Sequence, residues 1–305
     1  MIRTDKPPFG RLLTAMVTPF DDQLKIDFTG VARLVEHLVG TGTQTLVVCG
    51  TTGESPTLED AEKLHLLRYV IRIANGKARV VMGTGSNVTT QTVKLSVEAE
   101  QAGADAVLVV APYYNKPSQQ GIIRHFEEVS KAVHIPIFVY NIPGRTGVNI
   151  TPETTLELAQ RFSNIHAVKD STGNVDQAAE IAARARDEFL IYSGDDYLTL
   201  PFLAIGGCGI VSVASHFAGR QINSMMENFF AGELEESRRL HYELLPLFKG
   251  LFAAPSPTCT KYGLSRLGIC SEFLRLPLVP LESAQRAVMD NVLRQCNIIA
   301  ELTSR

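Results

Sequence analysis

The segment IHAVK at residues 165–169 carries an amine to the edge of a run that is otherwise apolar. An ammonium strongly prefers water to such a place, and a lysine that ends a strand can snorkel out to reach it. On the pleat of a strand, however, Ile165, Ala167 and Lys169 share one side, and the small Ala167 leaves room for the lysine stem inside a closed sheet. An amine held there loses solvation, which disfavours its charged form. The free amine is a nucleophile that forms a Schiff base with a ketone or aldehyde.

Other reactive side chains end neighbouring runs. Tyr140 closes PIFVY at 136–140. It is either an aromatic plug with a satisfied hydroxyl or, beside an imine-forming lysine, a proton shuttle for carbinolamine breakdown and enamine formation. Tyr113 and Tyr114 of APYYNKP are expected on opposite faces of their strand, so at most one points where Tyr140 does. GTTGE at 50–54 combines two hydroxyls with glycine-flanked N–H groups that can approach an anion, although any Ser/Thr/Gly turn looks similar. Arg145, between Gly144 and Thr146, is either a solvated arginine or a bidentate clamp for a second carboxylate. An amine beside two anion-binding elements suggests a keto acid and a second, acidic partner. HExxH, a ligand-spaced Asp/Glu/His set and a GxSxG elbow are all missing, so no metal is expected and the amine serves as the electron sink.

Something must bring these run ends together. Apolar stretches rich in β-branched residues recur at 12–17, 45–49, 79–82, 106–110, 136–140, 165–169, 189–193 and 209–213. Each is too short for a helix, and continuous apolar strands suit a parallel sheet covered on both faces. Helical patterns fill the gaps: Asp27 to Val39, Thr57 to Asn75 closed by Gly76, Thr89 to Gln101, Gln120 to Val133, Thr151 with Pro152 onward, and Asn174 to Arg186. Eight β-α units predict a closed (β/α)8 TIM barrel, whose functional residues sit at the carboxyl ends of the strands. The rival is an open doubly wound sheet, but GTGS at 83–86 and GGCG at 206–209 do not fit its GxGxxG spacing. After Gly232 the strand pattern stops. ELEESRRLHYELLPLFKGLF and ESAQRAVMDNVLRQCNIIAEL, either side of a stretch around Pro255 and Pro257, read as helices. The expected division is therefore a catalytic barrel over 1–231 and a carboxy-terminal helical appendage over 232–305.

Composition narrows the class. With 45% hydrophobic and 20% charged residues and a formal charge of -3, there is no electrostatic case for a nucleic acid or anionic membrane partner. The amino terminus, MIRTDKPPFGRLL, lacks the pattern of a secretory signal, and no segment reaches a membrane span, so a cytoplasmic protein is expected. Five cysteines without metal-ligand spacing suit reduced thiols that fill cores.

GTTGES, APYYNKP, YNIPGRTG, the Lys169-Asp170 strand end and SGDD followed by GGCGIVSV closely resemble the dihydrodipicolinate synthase family, and the resemblance covers nearly the whole chain. It implies condensation of pyruvate with L-aspartate 4-semialdehyde, in lysine and diaminopimelate synthesis, with no cofactor. Lys169 would form the imine with pyruvate. Thr52 would hold the pyruvate carboxylate with help from the backbone at Val211, and Gly194 would also contact substrate. Tyr140, Thr51 and Tyr114 would pass protons between site and solvent, and Arg145 would receive the carboxylate of the semialdehyde. Family members are usually homotetramers, dimers of dimers, in which the tyrosine matching Tyr114 reaches into the neighbour's site. Feedback-inhibited members bind lysine at the dimer interface. This chain keeps Ser55, Asn87 and Tyr113 there, but Asp60, Lys63 and Gln91 stand where regulated bacterial enzymes commonly have two histidines and a glutamate. Losing an acid and gaining a cation should weaken lysine inhibition.

Other readings remain at this stage. N-acetylneuraminate lyase or a keto-deoxy sugar acid aldolase would share the barrel, Tyr140 and Lys169, and differ in the loops for the second substrate. A solute-binding protein is built from β-α units too, but would need export and no imine. A barrel that has lost activity and acts as a regulator is the third.

Overall fold

A computed structural model of the chain describes residues 7–299. Among the described residues, eight parallel strands close in chain order into a barrel. They are β1 (Leu12–Ala15), β2 (Thr45–Val48), β3 (Arg79–Gly83), β4 (Ala106–Val110), β5 (Ile137–Asn141), β6 (Ile165–Asp170), β7 (Leu190–Ser193) and β8 (Gly209–Ser212). The circle is sealed by β1 lying parallel to β8, with Leu13 opposite Val211. The open doubly wound alternative is thereby excluded. No described helix is long and apolar enough to cross a membrane.

The strands are mostly apolar because both faces are covered. Val48, Val80, Val107, Val109, Val139 and Ile191 belong to the layer between strands and surrounding helices. Ala15, Val47, Val81, Leu108 and Phe138 fill the interior. Fully burying each such side chain contributes roughly 1.5–3 kcal/mol. The interior is plugged at the amino-terminal end. Phe9 meets Phe138 edge-on at 4.9 Å, and Phe138 stacks on Tyr192 at 5.9 Å. Tyr192 points downward, its hydroxyl donating to the Gly10 carbonyl at 2.9 Å. The space left over lies at the opposite end, where the strands finish.

The helices between strands keep to the expected intervals. Thr89–Gln101 has the expected bounds. Thr151 caps Pro152–Arg161 by accepting the Thr154 N–H. Two expectations shift. The helix expected from Thr57 begins at Asp60, because Ser55–Thr57 form a separate 3-10 turn and Glu59 with Glu62 makes the capping box. Tyr113 and Tyr114 do not alternate on a strand, since β4 ends at Val110 and Tyr114 adopts a left-handed φ of 73° in the loop beyond it.

The tail supplies helices Leu234–Gly250, Thr258–Arg266 and Ser283–Gln295. Leu244, Leu247, Phe248, Met289 and Leu293 share one buried cluster with Met225 and Met226 of the helix Ser215–Ala231. The last expected tail helix stops short, ending at Gln295 with Cys296 as its cap, and its expected part from Ala300 on lies outside the described residues, as do residues 1–6.

Candidate active site

Parallel pairing of β5 with β6 sets Tyr140 directly opposite Lys169, and β7 sets Tyr192 on its other side. The Lys169 Nζ lies 4.2 Å from the centroid of the Tyr140 ring. Lys169 exposes 6% of its surface and Tyr140 4%, so the amine stays inside the barrel mouth and does not snorkel. Ala167 sits beneath it in the interior cluster, as the sequence requires. Ile165 does not share that side. A register shift places Ile165 opposite Ile137 but Ala167 opposite Phe138, so His166 is an extra residue and Ile165 turns outward to the helix layer. A bulge of this kind re-aims the side chains that follow it.

A cavity of about 730 Å³ is lined by Tyr140, Thr51, Arg145 and Tyr114, whereas Lys169, Thr52, Gly194 and Val211 are not among its lining residues; Lys169 adjoins it through the ring of Tyr140. Thr51 and Thr52 stand on the turn after β2, tied down by Gly53 N–H to the Gly50 carbonyl and Glu54 N–H to the Thr51 carbonyl, each at 3.1 Å. The Thr18 hydroxyl, at the end of the first apolar run, donates to the Gly53 carbonyl at 2.7 Å. Gly53 is required by close approach, since a Cβ there would come within 3.1 Å of the Met16 carbonyl oxygen. Thr52 is buried beside the interior, while Thr51 is half-buried at the cavity wall. Arg145 projects from the short helix Pro143–Thr146 and is exposed. Tyr114 is 88% exposed and lines the cavity from its outer lip.

On the other side of Lys169, the ends of β6 and β7 gather carboxyl groups. Asp170 is buried and accepts the N–H and hydroxyl of Thr172 at 2.9 and 2.6 Å; burial holds its carboxyl above the usual range. Asp195 is pushed up to about 6 by burial, against the nearby Lys169 and with Asp196 and Asp170 raising it further. Asp196 accepts the Ser212 hydroxyl at 2.5 Å and the N–H groups of Val213 and Ala214 at 3.0 Å, which fixes the end of β8 just beyond Val211. Val211 itself is buried on the inner face. The N–H of Gly194 is taken by the Asp170 carbonyl, and a Cβ there would overlap Ser171 Oγ at 1.8 Å. Its glycine is thus explained by space.

The positions compared with a lysine site are not walled off from this centre. Ser55, Asp60, Lys63, Gln91 and Tyr113 line the same cavity as Tyr140. Lys63 pairs with Asp60 at 3.1 Å, and Gln91 accepts the Ser86 hydroxyl at 3.1 Å. The Asn87 carbonyl accepts from the Asn115 side chain at 3.0 Å. The cation Lys63 therefore has its counter-ion, Asp60, beside it. Sequence reasoning missed the individual roles of Asp195 and Asp196, both visible in SGDD, and the buried acid Glu54 inside the quoted GTTGE. It also missed Lys261, which no local motif marks.

Among the described residues, no group of three or more His, Cys, Asp or Glu side chains is placed to hold a metal. A family profile described as the dihydrodipicolinate synthetase family matches residues 8–296. The 4-hydroxy-tetrahydrodipicolinate synthase of Heliobacterium modesticaldum is 49% identical over 292 residues, covering 96% of this chain and 97% of that one. The crystal structure of the Bacillus anthracis dihydrodipicolinate synthase superimposes with a TM-score of 0.92 at 44% identity, covering 94% and 98% of the two chains. A structure of DHDPS from Cyanidioschyzon merolae with lysine bound gives 0.94 at 41% identity, over 95% and 99%.

Proposed function

The chain belongs to the dihydrodipicolinate synthetase family, and from that footing we propose how its own residues carry the family's condensation. It is a lyase that joins pyruvate to L-aspartate 4-semialdehyde, the 4-hydroxy-tetrahydrodipicolinate synthase reaction of lysine and diaminopimelate synthesis. The observation that carries the residue assignment is the buried Lys169 Nζ set 4.2 Å from the Tyr140 ring at the open end of the barrel.

Lys169 attacks C2 of pyruvate, and the carbinolamine loses water to give the imine. Tyr140 delivers the proton that the departing oxygen needs. Thr52 and the turn amides hold the pyruvate carboxylate, with the Val211 backbone on the far side. Loss of a C3 proton converts the imine to an enamine, whose carbon attacks the aldehyde of the semialdehyde. The new alkoxide takes a proton through Tyr140, Thr51 and Tyr114. Arg145 receives the semialdehyde carboxylate in bidentate fashion. The substrate amine then adds to C2, Lys169 leaves as the free amine, and the ring closes. Atoms balance with one water released, and no cofactor takes part.

We propose the cytoplasm as the site of action and a homotetramer, a dimer of dimers, as the working form. The exposure of Tyr114 at the cavity lip supports a second copy of the chain completing the relay. Tyr114→Phe should slow turnover without changing the sedimentation coefficient, and unchanged kinetics would remove it from the relay. The function itself is tested by offering purified enzyme pyruvate with L-aspartate 4-semialdehyde, N-acetylmannosamine or a sugar-derived aldehyde. Condensation is expected with the semialdehyde, and preference for either sugar would contradict the reading.

A further inference from the structure

Glu54 and Lys261 form an ion pair at 2.5 Å in which neither side chain exposes any surface. Glu54 ends the turn that carries Thr51 and Thr52, whereas Lys261 comes from the tail helix Thr258–Arg266. Each charge is gripped from more than one side. Lys261 Nζ also donates to the Phe273 carbonyl at 2.7 Å and lies 4.0 Å from the centroid of the Phe20 ring. The second carboxylate oxygen of Glu54 accepts the Arg275 N–H at 3.1 Å. Arg275 reaches the adjoining 3-10 turn as well, donating to the Thr57 carbonyl at 2.7 Å and to the Glu62 carboxylate at 2.6 and 2.8 Å.

Stability alone does not account for such a pair, because apolar side chains of similar volume would pack without the desolvation cost. That cost is visible in Lys261: burial pushes its amine below the ordinary lysine range, with Glu54 pulling it back up. What a doubly held carboxylate provides is a single permitted position for its backbone. Glu54 is a non-glycine residue at φ 54°, a left-handed conformation that persists only when surroundings enforce it. Its N–H donates to the Thr51 carbonyl at 3.1 Å, and its own carbonyl accepts the N–H and hydroxyl of Thr57 at 3.0 Å. The Thr18 hydroxyl holds the turn from the segment that follows β1, and the Glu54–Lys261 pair holds it from the tail.

We propose that Glu54 and Lys261 are positioning residues through which the carboxy-terminal helices fix the Thr51-Thr52 turn in the geometry that binds the pyruvate carboxylate. The inference rests on the assignment of that turn to pyruvate. Misplacing a binding group by about 1 Å can cost on the order of 100-fold, so a partial loosening should raise the pyruvate requirement about tenfold.

The test uses Glu54→Gln, Lys261→Met, Thr52→Val and the double variants Glu54→Gln/Lys261→Met and Glu54→Gln/Thr52→Val in the whole chain. Steady-state kinetics, thermal melting and the pyruvate dependence of borohydride trapping are measured for each. Glu54→Gln and the Glu54→Gln/Lys261→Met variant should raise the pyruvate KM and the half-saturation for trapping about tenfold, with the semialdehyde KM within about twofold. The Glu54→Gln/Lys261→Met variant should melt higher than Lys261→Met, since no unpaired charge stays buried, yet keep the raised pyruvate KM. Glu54→Gln combined with Thr52→Val should cost less than the product of the two alone. A folded Glu54→Gln or Glu54→Gln/Lys261→Met variant with the parental pyruvate KM, while Thr52→Val is impaired, overturns the positioning role. Unimpaired pyruvate binding in Thr52→Val overturns the assignment of the turn, and the proposal with it. If Lys261→Met gives no folded protein, Glu54→Gln and the Glu54→Gln/Lys261→Met variant still decide.

Discussion

Replacing Tyr140 with phenylalanine separates two contributions that share one side chain. The ring is packed within the barrel, 4% exposed, and lies 4.2 Å from the Lys169 Nζ. Its backbone pairs with that of Lys169 through β5 and β6. Phenylalanine keeps the ring, the packing and the strand register, so the lysine should stay where it is. Only the hydroxyl is lost. A positioned acid–base group contributes roughly 10²- to 10⁴-fold to rate, which corresponds to about 2.7–5.4 kcal/mol in the barrier. Deleting one hydroxyl should alter folding stability by only about 1 kcal/mol. The expected outcome is a fall of at least ~100-fold in kcat, with urea unfolding barely shifted. Borohydride trapping of pyruvate should be slowed but should still reach completion on Lys169. Tyr140→Leu, which also removes the ring, should lose stability in addition. A phenylalanine variant within about threefold of the parent kcat would refute the proton-transfer role of Tyr140.

Other outcomes follow from particular contacts. Arg145→Ala should raise the semialdehyde KM by ~10- to 100-fold through loss of a charge-assisted bidentate contact, while pyruvate trapping is unaffected; a raised pyruvate requirement would show that the arginine serves the other substrate. His216 is fully buried, with Val17 N–H donating to its Nε2 and its Nδ1 donating to the Val213 carbonyl, and burial pushes it down to about 4. Its folded value lies below its unfolded one, so the stability it contributes is present above about pH 6.5 and is lost as pH falls through about 4, up to roughly 3 kcal/mol. Unfolding free energy measured across that window should drop more steeply for the parent than for His216→Gln, and equal slopes would remove His216 as the cause. L-Lysine should inhibit weakly or not at all, because Lys63 occupies the cavity wall with Asp60 already as its partner; inhibition in the micromolar range would contradict that.

The strand ladder was legible because continuous apolar runs leave a parallel sheet few alternatives, and the run 106–110 coincides with β4 as observed. The juxtaposition of Tyr140 and Lys169 was legible for the same reason, since each ends an apolar run and β5 pairs with β6 in register there. What was not legible depends on geometry beyond residue type. The extra residue at His166, which turns Ile165 outward, leaves no mark in an otherwise ordinary strand sequence. Tyr113 and Tyr114 were read as alternating because APYY continues an apolar run, whereas β4 ends before Ala111-Pro112. The pair Glu54 and Lys261 joins residues about two hundred positions apart, and each one alone resembles an ordinary surface charge. Pairing of this kind becomes visible only once the tail is folded onto the barrel.

The most direct test of the central claim is peptide mass spectrometry after incubation with pyruvate and borohydride. One reduced pyruvyl adduct is expected, on the peptide carrying Lys169, and none in Lys169→Met protein that melts like the parent. An adduct on another lysine, or one that persists in the Lys169→Met variant, would contradict the account.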